Sequence, residues 1–217
     1  MTLAVLKFGG SSIATPERIR AAATVIAESA RSAQVVAVVS AMGDTTDELI
    51  SLAHRVADEP ASREMDMLLA SGETITAPLL AMALQHFGVD AVSLNGLQAG
   101  IRTSNAHRTA RIVDIVPQRV VDELAQGRVV VVAGFQGATA ELDVTTLGRG
   151  GSDTTAVALA VALHAESCDI LTDVAGVHTA DPRLVPQARV IAEIGFGEML
   201  ELAACGAAVM HPRAVEI

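Results

Sequence analysis

The chain has 217 residues, of which 51% are hydrophobic and 18% charged. That length suits one domain, or two small ones, with a sizeable core, and the apolar content excludes a largely disordered protein. Fifteen basic against twenty-five acidic residues leave a net charge of −10, so neither nucleic acid nor an anionic membrane surface is an expected partner. The longest apolar stretches, Val129–Ala133 and Ala156–Leu163, are far shorter than the ~20 residues that a membrane-spanning helix needs.

Cysteine content and the N-terminal sequence both favour the cytoplasm. Cys168 and Cys205 are too few for a disulfide framework. The N-terminal sequence contains neither the basic stretch nor the long apolar region of a signal peptide. We therefore expect a cytoplasmic enzyme or binding domain.

Predicted strands and helices alternate along the chain. Uninterrupted apolar runs, typical of parallel strands covered on both faces, predict strands at residues 3–8, 35–40, 91–94, 129–135 and 168–172. Helical spacing of apolar residues predicts helices at residues 16–31, 45–56, 62–87, 117–126, 152–164 and 197–205. Thr15 is the expected N-cap of the first helix, and Gly72 is a candidate break in the third. The alternation predicts an α/β fold, a three-layer α/β/α sandwich with a mainly parallel central sheet.

Two segments leave alternatives open. Residues 136–147, rich in Thr, Ala and Gly, suit either a hairpin or a loop. Pro212 is expected to begin a helix, although the sequence stops five residues later, and so short a helix is unstable unless it packs against something. Either this end packs on the body of the domain, or a partner completes it, or the chain is a fragment; we favour the last two.

The only lysine of the chain, Lys7, lies at the end of the first predicted strand, just before Gly9 and Gly10. Glycines let backbone N–H groups approach a ligand closely, and the N-terminus of a following helix favours anions. These features indicate a phosphate cradle, although a tight turn with an incidental lysine explains the glycines about equally well. The order differs from the P-loop, whose lysine follows its glycines, and from the G-x-G-x-x-G dinucleotide turn.

A second glycine-rich turn, Gly148–Asp153, also precedes a predicted helix. Ser152 is a good N-cap and Asp153 complements the helix dipole, so helix capping alone explains both residues. Capping does not explain Arg149, whose guanidinium can bind a carboxylate or a phosphate through two parallel hydrogen bonds.

Polar residues also follow two other predicted strands, at Ser40–Gly43 and at Thr172–Asp173, with Asp181–Arg183 further on. Open α/β sheets bind ligands at the carboxyl ends of their strands, although ordinary turns use the same residue types. Glu73 follows a glycine inside a predicted helix, and such a glycine costs ~1 kcal/mol relative to alanine, which indicates a packing or ligand-binding reason. By itself, Glu73 is typical of a solvated surface charge.

Together these segments resemble the catalytic domain of aspartate kinases, within the amino acid kinase superfamily. The matching motifs occur in the family's order from about Lys7 to Val215: KFGGSS, SAMGDTTDEL, LLASGE, QAGIRTSNAH, VVVVAGFQG, TTLGRGGSDTTA, LTDVAGVHTADPR and HPRAVE. Acetylglutamate, uridylate and glutamate-5-kinases share the glycine-rich turns but are not expected to combine SGE, RGGSD and TADPR. The resemblance implies that residues 1–217 form an amino acid kinase domain that lacks its last strand and the regulatory ACT domains.

The resemblance implies phosphorylation of the side-chain carboxylate of L-aspartate by ATP and Mg²⁺, giving 4-phospho-L-aspartate, the first step towards lysine, threonine, methionine and isoleucine. The acceptor carboxylate is already ionised, so no general base is needed, and positioning and charge stabilisation supply the catalysis. No protein metal ligand is assigned. The implied partners are L-aspartate and ATP, together with a homo-oligomer or a chain that completes the sheet.

The resemblance also assigns roles to residues. Lys7 would neutralise the transferring phosphoryl group and Asp153 would hold Lys7, while Arg149 would bind the α-carboxylate of aspartate and Glu73 its ammonium group. The other implied substrate contacts are Ser40, Thr45 and Ser152. The implied nucleotide contacts, besides Lys7, are Gly9, Gly10, Ser11, Thr172, Asp173, His178, Asp181 and Arg183.

Two positions depart from the family's pattern. Ala208 occupies the place of a phosphate-facing lysine, and His178 stands where a tyrosine is usual. Ala208 and the short end of the chain motivate a second hypothesis, a truncated or degenerate homologue that binds nucleotide or a full-length partner without turnover. A third hypothesis keeps the kinase chemistry and changes the acceptor to another amino-acid carboxylate.

Overall fold

A wholly parallel sheet of five strands forms the centre of the fold. The computed structural model describes residues 2–174, 176–205 and 210–217. Its strands within those ranges are β1 (Thr2–Phe8), β2 (Ala33–Val39), β3 (Ala91–Leu94), β4 (Ile101–Thr103), β5 (Ile112–Ile115), β6 (Val129–Ala133), β7 (Gln136–Ala138), β8 (Val144–Thr146) and β9 (Ser167–Leu171). The central sheet has the order β3-β6-β2-β1-β9, and the five predicted strands are confirmed to within two residues at each end.

Helices connect the strands and cover the sheet. They are α1 (Pro16–Ser29), α2 (Thr45–Val56), α3 (Ser62–His86), α4 (Gln118–Ala125), α5 (Gly151–Ala162), α6 (Phe196–Ala204) and α7 (Pro212–Val215), with a 3₁₀ helix at Gly10–Ile13. Thr15 caps α1 as predicted, because its Oγ1 accepts a hydrogen bond from the backbone N–H of Arg18 at 3.3 Å. The six predicted helices are confirmed to within two residues at each end, and Pro212 begins α7 as expected.

Alternate side chains of the strands enter two separate cores, one on each face of the sheet. In β2, Val35, Ala37 and Val39 pack with α1 and α3, whereas Val36 and Val38 pack with α4 and α5. All five are at most 1% exposed, and a fully buried valine contributes about 1.5–3 kcal/mol through the hydrophobic effect. The helix–sheet–helix arrangement is the predicted three-layer sandwich.

The long helix α3 is continuous, so the expected break near Gly72 is wrong. A Cβ at position 72 would lie 2.8 Å from Ala41 Cβ, which shows that Gly72 lets α3 approach the turn after β2. Among the described residues, α3 is also the helix whose length and composition would allow it to cross a membrane. Half of that apolar window is buried inside the protein, a property that the core helices of globular proteins share.

A second, four-stranded sheet has the order β5-β4-β7-β8. Its β7 and β8 form an antiparallel hairpin, which decides the open choice for residues 136–147. The sequence did not predict β4 and β5, because they are only three and four residues long and each carries a charged residue, Arg102 and Asp114. This sheet leads into the glycine-rich turn before α5, and β8 packs against α3.

Candidate functional site

The carboxyl ends of the central strands open into one polar cavity of about 330 Å³. The cavity lies between the ends of β1, β2 and β6, one face of α3 and the turn before α5. This is the edge at which open parallel sheets bind ligands. The cavity is lined by Lys7, Gly10, Ser40, Ala41, Gly43, Thr46, Glu73, Phe135 and Gly148–Asp153.

Lys7 and Asp153 form an ion pair in this cavity. The Lys7 Nζ and Asp153 Oδ1 atoms are 2.6 Å apart, and the two side chains are only 11% and 13% exposed. Lys7 comes from β1, whereas Asp153 belongs to the first turn of α5, where the helix dipole favours a negative charge. The pair therefore holds the only ammonium side chain of the sequence at the cavity.

Glu73 is buried, contrary to its expected character as a solvated charge. It lies in the middle of α3 and is 3% exposed, and its Oε1 accepts a hydrogen bond from the backbone N–H of Ala41 at 3.0 Å. Its Oε2 is buried and has no hydrogen-bond partner within the described part of the chain. Burial raises the pKa of Glu73 to about 7, against the opposing effect of backbone hydrogen bonds, including that from Ala41. A ligand with a cationic donor would satisfy this oxygen.

Arg149 lies between two glycines in the turn before α5. Gly148 and Gly150 have φ values of 77° and 70°, in the left-handed region that residues other than glycine rarely adopt. The turn presents Arg149 at the same cavity as Lys7 and Glu73. Three charged groups from three distant parts of the sequence are thus brought together.

Ser152 is not the N-cap of α5, so that prediction is wrong. The helix begins at Gly151, with Gly150 as its N-cap, and no side chain accepts a capping hydrogen bond. The left-handed backbone of Gly150 turns the chain into the helix earlier than the sequence pattern indicated. Ser152 instead lies in the first turn, buried and in the cavity lining.

The turn after β1 packs its backbone directly against the turn after β2. A Cβ at Gly10 would lie 2.9 Å from the carbonyl oxygen of Ala41, and the backbone N–H of Gly43 donates to Gly10 O at 3.1 Å. The glycines do not lead straight into an α-helix as expected, because the 3₁₀ helix comes first and α1 begins only at Pro16. The N–H of Gly9 donates to Leu171 O at 3.4 Å, which links this turn to β9.

Several other cavity residues differ from those that the sequence singled out. Ser40 lines the cavity as expected, but Thr46 does so in place of Thr45, whose hydroxyl donates to Met42 O at 2.6 Å. Phe135 was missed, although it is the last residue of a predicted strand and lies in the motif VVVVAGFQG. It has a φ of 68°, an unusual and strained conformation for an aromatic residue.

Most residues assigned to the nucleotide lie outside this cavity. Lys7 and Gly10 line it, whereas Gly9, Ser11 and the assigned residues after β9 do not. Thr172 and Asp173 are exposed, and the Thr172 hydroxyl donates to Asp173 Oδ1 at 3.1 Å. The carbonyl oxygen of Ser11 accepts a hydrogen bond from the Arg18 guanidinium.

The segment after β9 is irregular, and two of its charged residues, Asp181 and Arg183, pair with each other. Arg183 Nη2 lies 2.8 Å from Asp181 Oδ2, and hydrogen bonds from Arg183 lower the pKa of Asp181. His178 Nδ1 lies 3.0 Å from the carbonyl oxygen of Gly176. Ala208, at the expected lysine position, lies outside the described residues.

Comparison with known proteins agrees with this geometry. The model of the amino acid kinase family matches residues 2–217. The chain belongs to the amino acid kinase family. Over its whole length it is 59% identical to Aspartokinase 2 of Bacillus subtilis, of which it covers 53%, and 54% identical to the aspartokinase of Corynebacterium glutamicum, of which it covers 52%. It therefore spans about half the length of the curated relatives it matches.

Solved structures give the same result for this amino acid kinase family member. The crystal structure of aspartate kinase from Synechocystis matches 99% of the chain with a TM-score of 0.85 and 50% identity, and the chain covers 35% of it. Aspartokinase III of E. coli, crystallised in complex with aspartate and ADP, matches 98% of the chain with a TM-score of 0.90 and 28% identity, and is covered to 58%. The resemblance to aspartate kinases seen in the sequence motifs is confirmed.

A second, larger groove of this amino acid kinase family member, about 660 Å³, lies between α5, β9 and α6. Its lining is mainly apolar, including Val157, Val161, Phe196 and Met199, and it shares no lining residue with the polar cavity. Because the convergent charged groups all face the smaller cavity, that cavity is the candidate active site.

The acidic residues that the structure describes do not form a metal cage. Within the described residues, no three His, Cys, Asp or Glu side chains converge as a set of metal ligands. Mg²⁺ is commonly bound through one or two carboxylates plus substrate phosphates. The donor set therefore fits a Mg²⁺ held mainly by the phosphates of a nucleotide, with Asp153, whose Oδ1 pairs with Lys7, as the cavity carboxylate next to those phosphates.

Proposed function

We propose that this chain is the catalytic domain of an aspartate kinase, which uses ATP to phosphorylate the side-chain carboxylate of L-aspartate to 4-phospho-L-aspartate. The single observation that carries the proposal is the cavity shared by Lys7, Glu73 and Arg149. A carboxylate and a guanidinium match the ammonium and α-carboxylate groups of an α-amino acid. The lysine ammonium adds a cation for a phosphoryl group, and the names of the relatives point to the same acceptor.

Positioning and charge stabilisation account for the chemistry. Glu73 and Arg149 orient the amino acid, so that a side-chain carboxylate oxygen attacks the γ-phosphorus of ATP. A new O–P bond forms as the bond between that phosphorus and the β,γ-bridging oxygen breaks, and ADP carries away the electron pair. Lys7, held by Asp153, neutralises charge on the transferring phosphoryl oxygens. Ser40 and Ser152, which line the cavity, are further proposed substrate contacts, and Thr45, next to the cavity-lining Thr46, is proposed as a third.

The nucleotide is proposed to bind beside the acceptor, next to β1 and β9. Lys7, Gly9, Gly10 and Ser11 would contact its phosphates. When bound, Mg²⁺ would neutralise phosphate charge, with Asp153 as its protein contact. The remaining proposed nucleotide contacts are Thr172, Asp173, His178, Asp181 and Arg183.

The wider assignment follows from the same proposal. Residues 1–217 act as one catalytic unit in a cytoplasmic enzyme of amino-acid biosynthesis, at the step that leads to lysine, threonine and methionine. Within the described residues β9 is an edge strand, so its unpaired backbone groups could pair with a further strand. We propose a homo-oligomer, or pairing with a chain that completes the sheet.

The deciding experiment is a hydroxamate assay, which traps the acyl phosphate formed from aspartate and ATP. The wild type is expected to turn over, and Lys7→Ala to lose about 100-fold or more in kcat because one stabilising cation is removed. Arg20→Ala, which removes an exposed base on α1, is the control and should match the wild type. Equal turnover of wild type and Lys7→Ala, with aspartate or any other amino acid, contradicts the proposal. Binding of ATP without turnover supports the non-catalytic homologue instead.

A further inference from the structure

A second buried carboxylate of α3, that of Asp66, lies outside the cavity and connects two segments of the chain. Asp66 is fully buried, and its Oδ1 accepts a hydrogen bond from Thr146 Oγ1 at 2.5 Å. The backbone N–H of Arg108 lies 3.0 Å from both carboxylate oxygens, and His107 Nδ1 lies 2.8 Å from Oδ2. A carboxylate with this many partners is a strong, geometrically defined anchor.

The two segments that Asp66 holds also contact each other. Thr146 ends β8, and its carbonyl oxygen accepts a hydrogen bond from the N–H of Ala110 at 3.0 Å. Gly148 packs on the same segment, because a Cβ there would lie 3.0 Å from Arg108 O. Arg108 has a φ of 70°, a conformation that a non-glycine residue adopts at a cost, and the Asp66 carboxylate stabilises it through the Arg108 N–H. The anchored segments therefore form the support of the turn that carries Arg149.

Asp66 and Glu73 are seven residues apart on one helix. Two helical turns place them on the same face, about 10 Å apart along the axis. One rigid element thus carries the Glu73 carboxylate and also anchors the turn that presents Arg149.

We infer that Asp66 is a positioning residue, which fixes the distance between Glu73 and Arg149 and so sets the fit of the site to the α-amino and α-carboxylate groups of its acceptor. The inference rests on the proposed function for its substrate, but the support of the turn can be tested without it. Asp66 does not line the cavity, so it acts through the turn and not by contact with the amino acid.

The first test is hydrogen exchange of the backbone amides in Asp66→Asn, which keeps the size of the side chain and removes its charge. Exchange of the amides at 107–110 and 146–151 is expected to be at least tenfold faster than in the wild type. Glu123→Gln is the matched control, because Glu123 is a buried carboxylate of α4, on the opposite face of the central sheet from α3, and its partners are Arg119 and Arg128. Glu123→Gln should leave the amide exchange rates at 146–151 as they are in the wild type. If those rates are also unchanged in Asp66→Asn, the inference is overturned, whatever the substrate is.

The second test separates the two substrates kinetically. In Asp66→Asn the KM for aspartate should rise tenfold or more, whereas the KM for ATP should stay within about twofold. Thr146→Val should raise the KM for aspartate more weakly and leave the KM for ATP unchanged. Thr146→Ser retains the hydroxyl and should have wild-type KM values. This pair of variants tests the inference even if Asp66→Asn does not fold. An equal rise in both KM values, or no rise, overturns the inference. A wild type without aspartate-dependent turnover contradicts the proposed function, and the exchange data still decide the role of Asp66.

Discussion

The two ends of the proposed reaction are built differently. In the polar cavity, Glu73 on the acceptor side and the Lys7–Asp153 pair at the phosphoryl group are buried or nearly so and belong to regular elements, and Arg149 is exposed on the turn before α5. On the nucleotide side, the assigned residues after β9 lie in an irregular segment, and Asp181 and Arg183 bond to each other. The polar cavity proposed for the amino acid is therefore formed largely by packed helices and strands, whereas most of the proposed nucleotide contacts lie in a segment with little regular structure.

Arg149→Ala should have the largest effect, because it removes the cation assigned to the α-carboxylate. We expect kcat/KM for aspartate to fall by about 100- to 1,000-fold, which corresponds to about 3–4 kcal/mol. Steady-state kinetics with both substrates provide the measurement, and Arg149→Lys should recover only part of the loss because it cannot form two parallel hydrogen bonds. A similar loss of kcat/KM for aspartate in Arg183→Ala would show that the acceptor side and the nucleotide side do not differ as proposed.

Glu73→Gln should abolish a pH dependence that the wild type shows. Because the pKa of Glu73 is raised to about 7, only about a tenth of it is ionised at pH 6 and about nine tenths at pH 8. An ionised carboxylate binds the ammonium group best, so the KM for aspartate should fall up to about tenfold between these pH values. In Glu73→Gln the KM should be high and flat across this range. A wild-type KM that does not change with pH argues against Glu73 as the ammonium contact.

The same substitution should stabilise the fold at high pH. A carboxyl whose folded pKa is raised above 4.5 favours folding at pH values below about 4.5, and that contribution is lost as the pH rises through about 7. Glu73→Gln has no buried charge to form, so at pH 8 it should exceed the wild type by about 3 kcal/mol in the free energy of unfolding. Denaturant titrations at pH 5 and pH 8 give the comparison, and the two proteins should differ little at pH 5.

Gly72→Ala tests whether close packing builds the acceptor side. The added Cβ would lie 2.8 Å from Ala41 Cβ, so α3 must move away from the turn after β2. We expect a loss of about 1–3 kcal/mol in stability together with a raised KM for aspartate. Gly197→Ala in α6, where the added Cβ meets nothing within 4 Å, is the control and should stabilise the protein by up to about 1 kcal/mol. Equal behaviour of the two variants would show that the approach at Gly72 carries no strain.

Arg183→Ala should have the smallest effect. Its side chain is 86% exposed and pairs with Asp181, and such exposed ion pairs contribute little to stability. We expect thermal unfolding to change little and the KM for ATP to rise a few-fold, with the KM for aspartate unchanged. A selective effect on aspartate would place Arg183 on the acceptor side.

The sequence predicted the central sheet and its helices well, because buried parallel strands are uninterrupted apolar runs such as Val129–Ala133. It could not show that Glu73 is buried, since burial depends on how α3 packs against Ala41. It also misplaced the start of α5, because the left-handed backbone of Gly150 is not visible in a capping pattern. Phe135 and Asp66 were missed for a related reason. Phe135 lines the cavity and Asp66 binds Arg108 and Thr146 only because distant segments come together, and local spacing does not reveal such contacts.

The position of β1 within the sheet affects the order in which the protein can fold during synthesis. β1 is made before the other described strands, yet it lies between β2 and β9, and its Phe8 pairs with Leu171. Its pairing with β2 can form early, but its other side stays unpaired until residues 167–171 have left the ribosome. Lys7 likewise meets Asp153 only after some 150 residues have been translated. The nascent chain therefore exposes an open sheet edge next to Lys7 until β9 has been synthesised.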